Sequence, residues 1–404
     1  MKNLLIITYW SFKDALVQTY TLPYVRIIRK NIPEKSKIFL FTIEQEFHKM
    51  TDEEWQIEKQ RLQKENIYLI RFQYSKFGIK MAFRFLGIIT NLFFLIITKK
   101  ISKIHVWCTP GGAIGYILSV LTFKPLIIDS YEPHAESMVE NGEWTRQSKA
   151  FKILFWLEKK MSRRAKTVIA LTEGMKYYAK EKYKAEFENY YVKPSMVNLQ
   201  KFSFEEVDNK QLIEEFGYKE KIVAIYAGKF GGIYLKQEVF DLLKVACDYW
   251  GEKFRILILT SSPENEIFEM AEKSNIPKEI LKVKFANYSE IEKYYKLADF
   301  AINPVKPVPS KRYCTSIKDG EYWAMGLPVV ITKNISDDSD IIEKENIGAV
   351  IKDLNNDEYL KAIKKIDLLL GYDKKELKEN IRNIAIKYRS FLIAEKIYKD
   401  IYGQ

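Results

Sequence analysis

A short segment in the last third of the sequence, Ser316–Val330 (SIKDGEYWAMGLPVV), has the residue types and spacing of an anion-binding helix. Ser316, followed three positions later by Asp319, predicts an N-cap and its return partner. Gly326 and Pro328 predict the end of that helix. The first turn of a helix presents unpaired N–H groups and a partial positive charge, so this segment is suited to hold a phosphate.

Two side chains of the predicted helix, Lys318 and Glu321, extend the same chemistry. Lys318 in the first turn opposes the helix dipole, and a nearby anion would offset that cost. Glu321 lies in the same short helix and offers a carboxylate that accepts hydrogen bonds from a ribose diol. The spacing alone is equally compatible with a plain helix that carries a solvated Lys and a solvated Glu.

The segment resembles the signature of GT-B glycosyltransferases, above all the large retaining fourth family, in its form Lys-x-x-Glu-Tyr-x-Ala-x-Gly-x-Pro-Val. The matching residues are Lys318, Glu321, Tyr322, Ala324, Gly326, Pro328 and Val329. The resemblance implies that Ser316, Ile317, Lys318 and Glu321 bind a nucleotide-sugar donor, with Glu321 on the nucleotide ribose. The commoner form of the signature has a second Glu at the position of Tyr313.

A glycine-rich turn, Gly228–Gly232 (GKFGG), follows the apolar run Lys221–Ala227 and precedes a segment expected to be helical from about Tyr234. Glycines at a strand-to-helix turn let backbone N–H groups approach a diphosphate closely. Ordinary turns also use paired glycines. The resemblance implies that this turn holds the donor phosphates through Gly231 and Gly232.

Basic side chains beside these two segments are further candidates. The resemblance places Lys229 where related enzymes have a phosphate-binding Arg, and it places Tyr234 where they have a Lys. Lys236 is a substitute for that Lys only if the helix starts later than predicted. The loop before the signature, Lys306–Thr315, contains Lys311 and Arg312. It is either an exposed basic loop or a source of positive charge, from Arg312 or Lys311, for the departing phosphates.

A second group of candidate residues, Asp129-Ser-Tyr-Glu132-Pro-His134, follows an apolar run in the first half of the chain. Neighbouring carboxylates orient an imidazole and favour its charged form, although a lone His is more often structural. The resemblance implies that residues on the acceptor side lie in this loop. Asp129 or Glu132 is therefore the candidate base or acceptor orienter, and His134 is the candidate contact to the transferred sugar or its phosphate.

Buried strands must position these residues, because apolar runs alternate with helix-length segments along the chain. The first set of runs is Leu4–Tyr9, Lys37–Thr42, Ile67–Phe72, Ile104–Cys108, Leu126–Ser130 and Thr167–Thr172. The second set is Lys221–Ala227, Phe254–Thr260, Leu281–Phe285, Phe300–Asn303, Val329–Thr332 and Ala349–Ile351. The pattern predicts an α/β fold with two Rossmann-like, doubly wound parallel-sheet domains facing across a cleft, and the resemblance implies the GT-B arrangement.

The domain boundary is predicted near Tyr191–Phe202, where Pro194 interrupts an extended stretch. The predicted organisation is an acceptor-side domain over 1–193 and a nucleotide-sugar-binding domain over 194–385. A terminal helix over 386–404 is expected to pack back towards the first domain. Thr51–Glu54 predicts a capping box at the start of one helix of the first domain.

The net charge of +12 lies in residues 1–190, which have 31 Lys and Arg against 19 Asp and Glu, while the remainder has 34 against 34. This asymmetry favours a polyanionic partner, and a generally Lys-rich proteome is the alternative. Because no basic face interleaved with aromatic residues is evident, we expect an anionic membrane surface rather than nucleic acid.

The segment Ala82–Thr98 is apolar almost all round and bears on the membrane question. Its basic neighbours are Lys76, Lys80, Arg84, Lys99, Lys100 and Lys103. Two interpretations remain open: a buried crossover helix, and an interfacial surface that docks on anionic lipid.

The cysteines and the first residues of the sequence indicate the cellular compartment. Cys108, Cys247 and Cys314 are few, odd in number and far apart, which fits a reducing cytoplasm and no metal site. The start of the chain predicts a buried strand rather than a signal peptide, and no stretch reaches the length of a membrane-spanning helix. The acidic run Asp337–Asp340 is explained as a helix N-terminus without a metal. We expect a cytoplasmic protein, peripheral at the membrane, with no metal and no cofactor besides its nucleotide-sugar substrate.

Together these features predict a metal-independent glycosyltransferase of the hexosyltransferase type. It would move a sugar from a nucleotide-diphosphate donor, UDP-linked by family frequency, to a saccharide or lipid-linked acceptor in cell-surface polysaccharide or glycoconjugate synthesis. The alternatives are a sugar-nucleotide epimerase of the same fold, which needs extra acids and bases around the sugar, and a non-catalytic membrane adaptor.

Overall fold

The computed structural model describes residues 2–403 apart from Ala15, 47–48, 75–78 and 205–208, and the side chains of 79–82 are outside the description. The chain divides into two compact units. Unit 1 comprises Met1–Val139, Glu143–Pro194 and Leu392–Gln404. Unit 2 comprises Glu140–Gly142 and Ser195–Phe391. The terminal segment that groups with unit 1 therefore begins at Leu392, six residues after the predicted start at 386.

Unit 1 is built on a seven-stranded, wholly parallel sheet with the strand order β3-β2-β1-β4-β5-β6-β7. Its strands are β1 (Asn3–Ile7), β2 (Ile38–Glu44), β3 (Ile67–Gln73), β4 (Ile101–Trp107), β5 (Leu126–Tyr131), β6 (Thr167–Ala170) and β7 (Asn189–Val192). The first six were predicted, and the edge strand β7 was taken for the start of the linker. Strands β1 and β2 are buried at every position, as strands covered by helices on both faces should be.

The helices of unit 1 connect these strands. They are α1 (Leu22–Asn31), α2 (Asp52–Lys64), α3 (Ile79–Thr98), α4 (Cys108–Thr122), α5 (His134–Glu140), α6 (Lys149–Arg164), α7 (Gly174–Tyr178) and the terminal α16 (Phe391–Tyr402). A single π-helical turn, Ala179–Tyr183, follows α7. The predicted capping box at α2 is confirmed, because the Thr51 hydroxyl accepts from the Glu54 N–H and the Glu54 carboxylate accepts from the Thr51 N–H.

Unit 2 repeats the architecture with six parallel strands in the order β10-β9-β8-β11-β12-β13. The strands are β8 (Ile222–Ala227), β9 (Phe254–Leu259), β10 (Leu281–Lys284), β11 (Phe300–Asn303), β12 (Val329–Thr332) and β13 (Gly348–Ile351). The helices are α8 (Lys210–Phe216), α9 (Gln237–Trp250), α10 (Glu264–Lys273), α11 (Ile291–Tyr295), α12 (Ile317–Ala324), α13 (Asp338–Glu345), α14 (Asn356–Leu370) and α15 (Lys374–Arg389). The prediction of two parallel-sheet α/β domains is confirmed.

Within each unit, the candidate residues follow the carboxyl ends of strands. Asp129 is inside β5, and Glu132 and His134 follow it directly. The glycine-rich turn follows β8, and the loop with Arg312 follows β11. Ligands of open α/β sheets bind at this edge, so the fold places both candidate groups where such sites occur.

The apolar segment 82–98 lies in α3 and is not buried all round, in contrast to the first interpretation of it. Its inward face consists of Ile88, Ile89, Leu92 and Ile96. Its outward face exposes Phe83, Leu86, Phe94 and Ile97. Of the flanking basic residues, Lys76 lies outside the described part of the chain. Lys103 is in β4, where its ammonium group donates to the Ile401 carbonyl at 2.9 Å. Within the described residues, no helix has the combined length and apolarity needed to cross a bilayer.

Candidate functional site

The glycine-rich turn and the signature helix of unit 2 meet at Gly228. A Cβ atom at this position would lie 2.9 Å from Lys318 Cε and 2.8 Å from the Tyr226 hydroxyl oxygen, so only glycine lets the Lys318 side chain cross the turn. The Lys318 ammonium group donates to the Tyr234 hydroxyl at 2.7 Å and lies 4.4 Å from the centre of that ring. The structure thus brings Lys318 to the turn predicted to hold the donor phosphates.

Helix α9 begins at Gln237, three residues after the predicted start at Tyr234. The stretch 233–235 is extended instead, because Tyr234 bridges Val305 and the Leu235 N–H donates to the Pro304 carbonyl at 2.8 Å. The later start makes Lys236 the residue immediately before the helix.

The Lys236 side chain lies over Gly231, where a Cβ atom would be 2.6 Å from Lys236 Cε. Gly231 and Gly232 have φ values of +79° and +60°, a backbone conformation that favours glycine. Lys229 is exposed on the same turn. The helix start is therefore shifted as Lys236 requires to be the substitute cation. For Lys229, the contact that the described residues show is one to its backbone carbonyl, which accepts from the Tyr226 hydroxyl.

The predicted capping partner Asp319 has a different role, and that prediction was wrong. Ser316 has the extended backbone of an N-cap, but among the described residues its hydroxyl accepts no hydrogen bond from the first turn. Asp319 is buried, and its Oδ1 accepts from the Asn303 amide at 2.8 Å. Burial and the neighbouring Asp338 carboxylate raise its pKa well above the ordinary range. Asp338 pairs with Arg389, so Asp319 belongs to a buried network under α12.

Glu321, the predicted ribose-binding residue, is 4 % exposed. Its Oε2 accepts a hydrogen bond from the Tyr295 hydroxyl at 3.2 Å. Burial raises the pKa of Glu321 to about 7, against the opposing influence of Lys318, Tyr295 and Lys201. Near neutral pH the carboxylate is close to its protonation midpoint, so additional hydrogen-bond donors, such as a ribose diol, would favour its charged form.

Arg312 is engaged within unit 2 by residues that precede and begin α13. Its guanidinium donates to the Ser336 carbonyl at 2.7 Å and pairs with Asp340 at 2.6 Å. The hydrogen bond to Asp340 is the main reason that the pKa of Arg312 is raised. The structure does not bring Arg312 into contact with the glycine-rich turn, and its predicted role on the departing phosphates stays a prediction.

In unit 1, Asp129 is buried at the centre of a polar network. Its Oδ1 lies 3.1 Å from Lys193 Nζ and accepts from the Ser130 N–H at 2.6 Å. Its Oδ2 accepts from the Tyr398 hydroxyl at 2.6 Å and lies 3.3 Å from His105 Nε2. Burial alone would raise the pKa of Asp129, but Lys193, His105 and Tyr398 lower it to about 2. A carboxylate with this many partners is suited to a structural role rather than to the predicted catalytic one.

Glu132 and His134 lie together at the surface of the same strand end. Glu132 Oε1 is 3.3 Å from His134 Nδ1, and each side chain is partly exposed. His134 is the first residue of α5. The Thr109 hydroxyl donates to the Glu132 carbonyl at 3.5 Å. Of the three residues predicted here, Glu132 and His134 are thus placed to meet a ligand.

Sequence reasoning missed several residues that shape these sites. Tyr295 supports Glu321 from α11, and Glu158 on α6 accepts from the Ala135 N–H at 2.9 Å beside His134. Glu158 had a signal in the sequence, because it lies at helical spacing from Phe151, Phe155 and Ser162, on the inward side of α6. Tyr295 had none, since its contact with Glu321 joins two separate helices. Among the described residues, no group of three or more His, Cys, Asp or Glu side chains is placed to hold a metal ion.

Comparisons with known proteins bear directly on the fold and on the signature. Residues 308–401 match the family model of the Glucosyltransferase 3-like C-terminal domain. The sequence comparison with curated proteins gave no match. Sucrose-phosphate synthase from Thermosynechococcus elongatus superimposes with a TM-score of 0.73 at 13% identity, covering 100% of this chain and 98% of that one.

Two further solved structures show the same fold over their full length. HepE from Anabaena, in complex with UDP, has a TM-score of 0.71 at 13% identity, with 100% of both chains covered. A glycosyltransferase from Rickettsia africae has a TM-score of 0.69 at 16% identity, covering 99% of this chain and 97% of that one. HepE is also described with UDP-glucose.

These matches define the class of protein. The fold is GT-B, and the part of the chain that contains Lys318 and Glu321 matches a glycosyltransferase domain. The chain is therefore a glycosyltransferase of the GT-B fold, as the signature segment predicted, rather than an epimerase or a non-catalytic adaptor.

Proposed function

We propose that this glycosyltransferase takes its sugar from a UDP-linked donor held by unit 2 and transfers it to a hydroxyl group of a saccharide or lipid-linked saccharide. In the transfer, the bond between the sugar C1 and the diphosphate oxygen breaks, and a bond from C1 to the acceptor oxygen forms. The diphosphate leaves with the bonding electron pair, and the acceptor hydroxyl gives its proton to the Glu132 carboxylate, the base that we assign.

The observation that carries the proposal is the meeting of three features at one point of unit 2. A turn with two glycines of positive φ presents backbone N–H groups, Lys318 crosses it at Gly228, and Glu321 lies one helical turn beyond Lys318. A diphosphate requires N–H donors and a cation, and a ribose diol requires an acceptor. Glu321 is that acceptor, with a pKa raised by burial to about 7.

The preference for UDP is supported by HepE, a structural neighbour whose complexes contain UDP and UDP-glucose. A saccharide acceptor is consistent with the neighbour WaaG, described as a glycosyltransferase of lipopolysaccharide biosynthesis. In unit 1, Glu132 and His134 are the residues we assign to the acceptor side, with Glu132 as the base. Catalysis without a metal remains part of the proposal, and full activity in excess EDTA is its direct test.

Calorimetry with UDP, GDP and CDP tests the donor site, followed by a hydrolysis screen of the matching nucleotide sugars. We expect UDP to bind and Glu321→Ala to weaken binding at least tenfold, since loss of a hydrogen bond to a charged group costs about 1.5–3 kcal/mol. Glu343→Ala removes an exposed carboxylate of α13 and is the matched control. Binding of none of the three nucleotides, or equal effects of the two variants, would contradict the proposed site.

We also propose that unit 1 docks on an anionic membrane surface through its outward helix face. This face comprises exposed apolar residues of α3, of the end of α4 and of α6: Phe83, Leu86, Phe94, Ile97, Val120, Leu121, Phe123, Ile153 and Trp156. The three helices are adjacent, since α4 packs against both α3 and α6. Exposure reaches 84% at Phe123 and 73% at Phe83, and large apolar surfaces of this kind mark interaction sites.

The charge around the outward helix face favours anionic lipid as its occupant. Lys99 and Lys100 follow α3, Lys124 follows Phe123, and Lys160 lies 5.6 Å from the Trp156 ring. Apolar side chains that enter a bilayer and lysines that meet its headgroups are the two parts of an interfacial surface.

Flotation with phosphatidylglycerol and phosphatidylcholine vesicles tests the docking. We expect binding to the anionic vesicles only, and loss of it in Phe94→Ser/Phe123→Ser and in Lys99→Glu/Lys100→Glu. Lys344→Glu/Lys364→Glu, on unit 2, makes the same charge change and should bind as the wild type does. Equal binding to both kinds of vesicle would contradict the proposal. So would concentration-dependent dimers of the wild type that are absent in both Phe94→Ser/Phe123→Ser and Lys99→Glu/Lys100→Glu, because the face would then bind a second copy of the chain.

A further inference from the structure

Glu158 on α6 is a fully buried carboxylate, 0 % exposed, that the proposed donor and acceptor contacts do not use. Its Oε1 accepts from the Ala135 N–H at 2.9 Å, and its Oε2 accepts from the Tyr183 hydroxyl at 2.8 Å. Within the part of the chain that the structure describes, no Lys or Arg forms an ion pair with it. A buried carboxylate is costly unless its hydrogen bonds compensate, so the identity of its donors matters.

These donors hold the loop that carries the candidate acceptor-side residues. Ala135 directly follows His134, and its N–H is one point of attachment. Thr109 lies near both groups, and its single hydroxyl proton serves either the Glu132 carbonyl, at 3.5 Å, or the Glu158 carboxylate, whose pKa it lowers. Glu158 thus holds the loop directly at Ala135, while the Glu132 and His134 side chains, 3.3 Å apart, remain partly exposed.

We propose that ionised Glu158 is a positioning residue that holds the 132–135 loop, and with it Glu132 and His134, in the geometry required for sugar transfer. The inference rests on the proposed function, since that function assigns the loop to the acceptor side. It adds a residue that touches neither substrate and acts through the backbone of the loop.

The charge of Glu158 changes in the physiological range. Burial raises its pKa to about 7, against the lowering influence of the Ala135 N–H, Tyr183, His134 and Thr109. The titratable groups that face it are Tyr131 at the end of β5, Tyr183 after α7 and His134 on α5. A hydrogen bond from an N–H group to a carboxylate is stronger than one to a neutral carboxylic acid. Glu158 therefore holds the loop most firmly above its titration midpoint, and less firmly as the pH falls below it.

The first test compares the pH dependence of kcat at saturating donor in the wild type and in Glu158→Gln. The amide keeps the shape of the side chain and an acceptor for the Ala135 N–H, but it cannot ionise. We expect the wild-type kcat to fall about tenfold on the acid side with a midpoint near pH 7. In Glu158→Gln, kcat at pH 8 should be about tenfold lower and the fall centred near pH 7 should be absent, with KM for the donor within twofold of the wild type.

The second test reads the loop without using activity. In protein labelled with ¹⁵N-alanine, the Ala135 amide, identified through Ala135→Gly, should shift with a midpoint near pH 7 and stay constant in Glu158→Gln. Tyr183→Phe keeps the carboxylate but removes a donor that lowers its pKa, so both midpoints should rise by about one pH unit. Tyr177→Phe, at an exposed tyrosine, should leave them unchanged.

The outcomes separate this inference from the proposed function. An Ala135 amide that does not titrate in the wild type overturns the inference, as does a Glu158→Gln profile of kcat that superimposes on the wild type. Should Glu158→Gln fail to fold, the shift expected in Tyr183→Phe carries the test, and its absence overturns the inference. A wild type with no activity towards any nucleotide sugar would instead overturn the proposed function.

Discussion

Asp129 in unit 1 and Glu321 in unit 2 are both buried carboxylates near the carboxyl edge of a parallel sheet, and both were predicted as site residues. Asp129 has an ammonium group, an imidazole and a hydroxyl around it, and its pKa is lowered to about 2 despite its burial. Among the residues that the structure describes, Glu321 has one tyrosine hydroxyl as its hydrogen-bond partner, and burial raises its pKa to about 7. Two buried carboxylates at the same kind of position therefore have pKa values shifted in opposite directions.

The difference indicates which of the two is available to a ligand. The ionised form of Asp129 is already satisfied within the protein, so a substrate has little to add. The ionised form of Glu321 is short of donors, and a ligand that supplies them gains the interaction. We therefore propose that Asp129 stabilises the fold and that Glu321 binds the donor, and the following experiments challenge that distinction.

The largest effect is expected from Lys193→Met. This change leaves Asp129 buried without its ammonium partner, which lies 3.1 Å away, and such losses destabilise a fold by about 3–5 kcal/mol. Urea denaturation of the purified protein measures it. Lys166→Met, which removes an exposed pair with Glu188, is the matched control and should cost less than about 1 kcal/mol. Similar midpoints for the two variants would show that the Asp129 network does not stabilise unit 1.

Glu321→Gln should affect stability and binding in opposite directions. Because folding raises the pKa of Glu321 from near 4.5 to about 7, the stability contributed by its protonated form is lost as the pH rises through that range. The variant should therefore be more stable than the wild type at pH 8, by up to about 3 kcal/mol, and not at pH 4.

Binding of UDP should show the reverse dependence at the same residue. In the proposed donor site the ionised carboxylate accepts from the ribose, so wild-type affinity should fall as the pH drops below about 7. Glu321→Gln should bind about tenfold more weakly at pH 8 and show no such fall. Thermal unfolding and calorimetry at matched pH values provide both readouts. If Glu321→Gln were less stable than the wild type at pH 8, Glu321 would be a stabilising residue like Asp129.

Gly228→Ala tests the geometry that brings Lys318 to the glycine-rich turn. The added Cβ would lie 2.9 Å from Lys318 Cε, and the lysine must move. We expect UDP affinity to fall about fivefold, since one charged contact is displaced rather than removed. Gly217→Ala is strained by its φ of +66° but meets no atom within 4 Å, so it should lower stability without changing affinity. Unchanged affinity in Gly228→Ala would exclude Lys318 from the donor site.

Much of the fold was predictable because strands buried on both faces appear as continuous apolar runs. Twelve of the thirteen strands gave such a run. The exception, β7, has four residues that are exposed or half-buried at a sheet edge, and the nearby Pro194 suggested a linker. Edge strands lack the double burial on which the pattern depends.

The sites were predictable only where the chemistry is local in sequence. The turn at Gly228 and the helix at Lys318 are short motifs, and both are where they were expected. Asp319 was misassigned because Asp338 and Arg389 compete for it from positions far along the chain. Glu158 was overlooked because a single Glu in an amphipathic helix has no motif around it, although its spacing placed it on the inward face. Long-range partners, which decide whether a carboxylate stabilises or binds, leave no local signal.

The smallest effect is expected at Lys236, a residue whose role depends entirely on where α9 begins. Its side chain lies over Gly231 but is exposed, so solvent screens its attraction for a phosphate. We expect Lys236→Ala to weaken UDP binding about threefold at low salt, and the difference to vanish near 1 M salt, where the screening length is about 3 Å. Lys244→Ala, on α9 and paired with Asp248, should have no effect at either concentration. A loss that persists at high salt would mean that the bound donor shields Lys236 from solvent, and Lys236 would then belong with the half-buried Lys318 rather than with the exposed lysines of the turn.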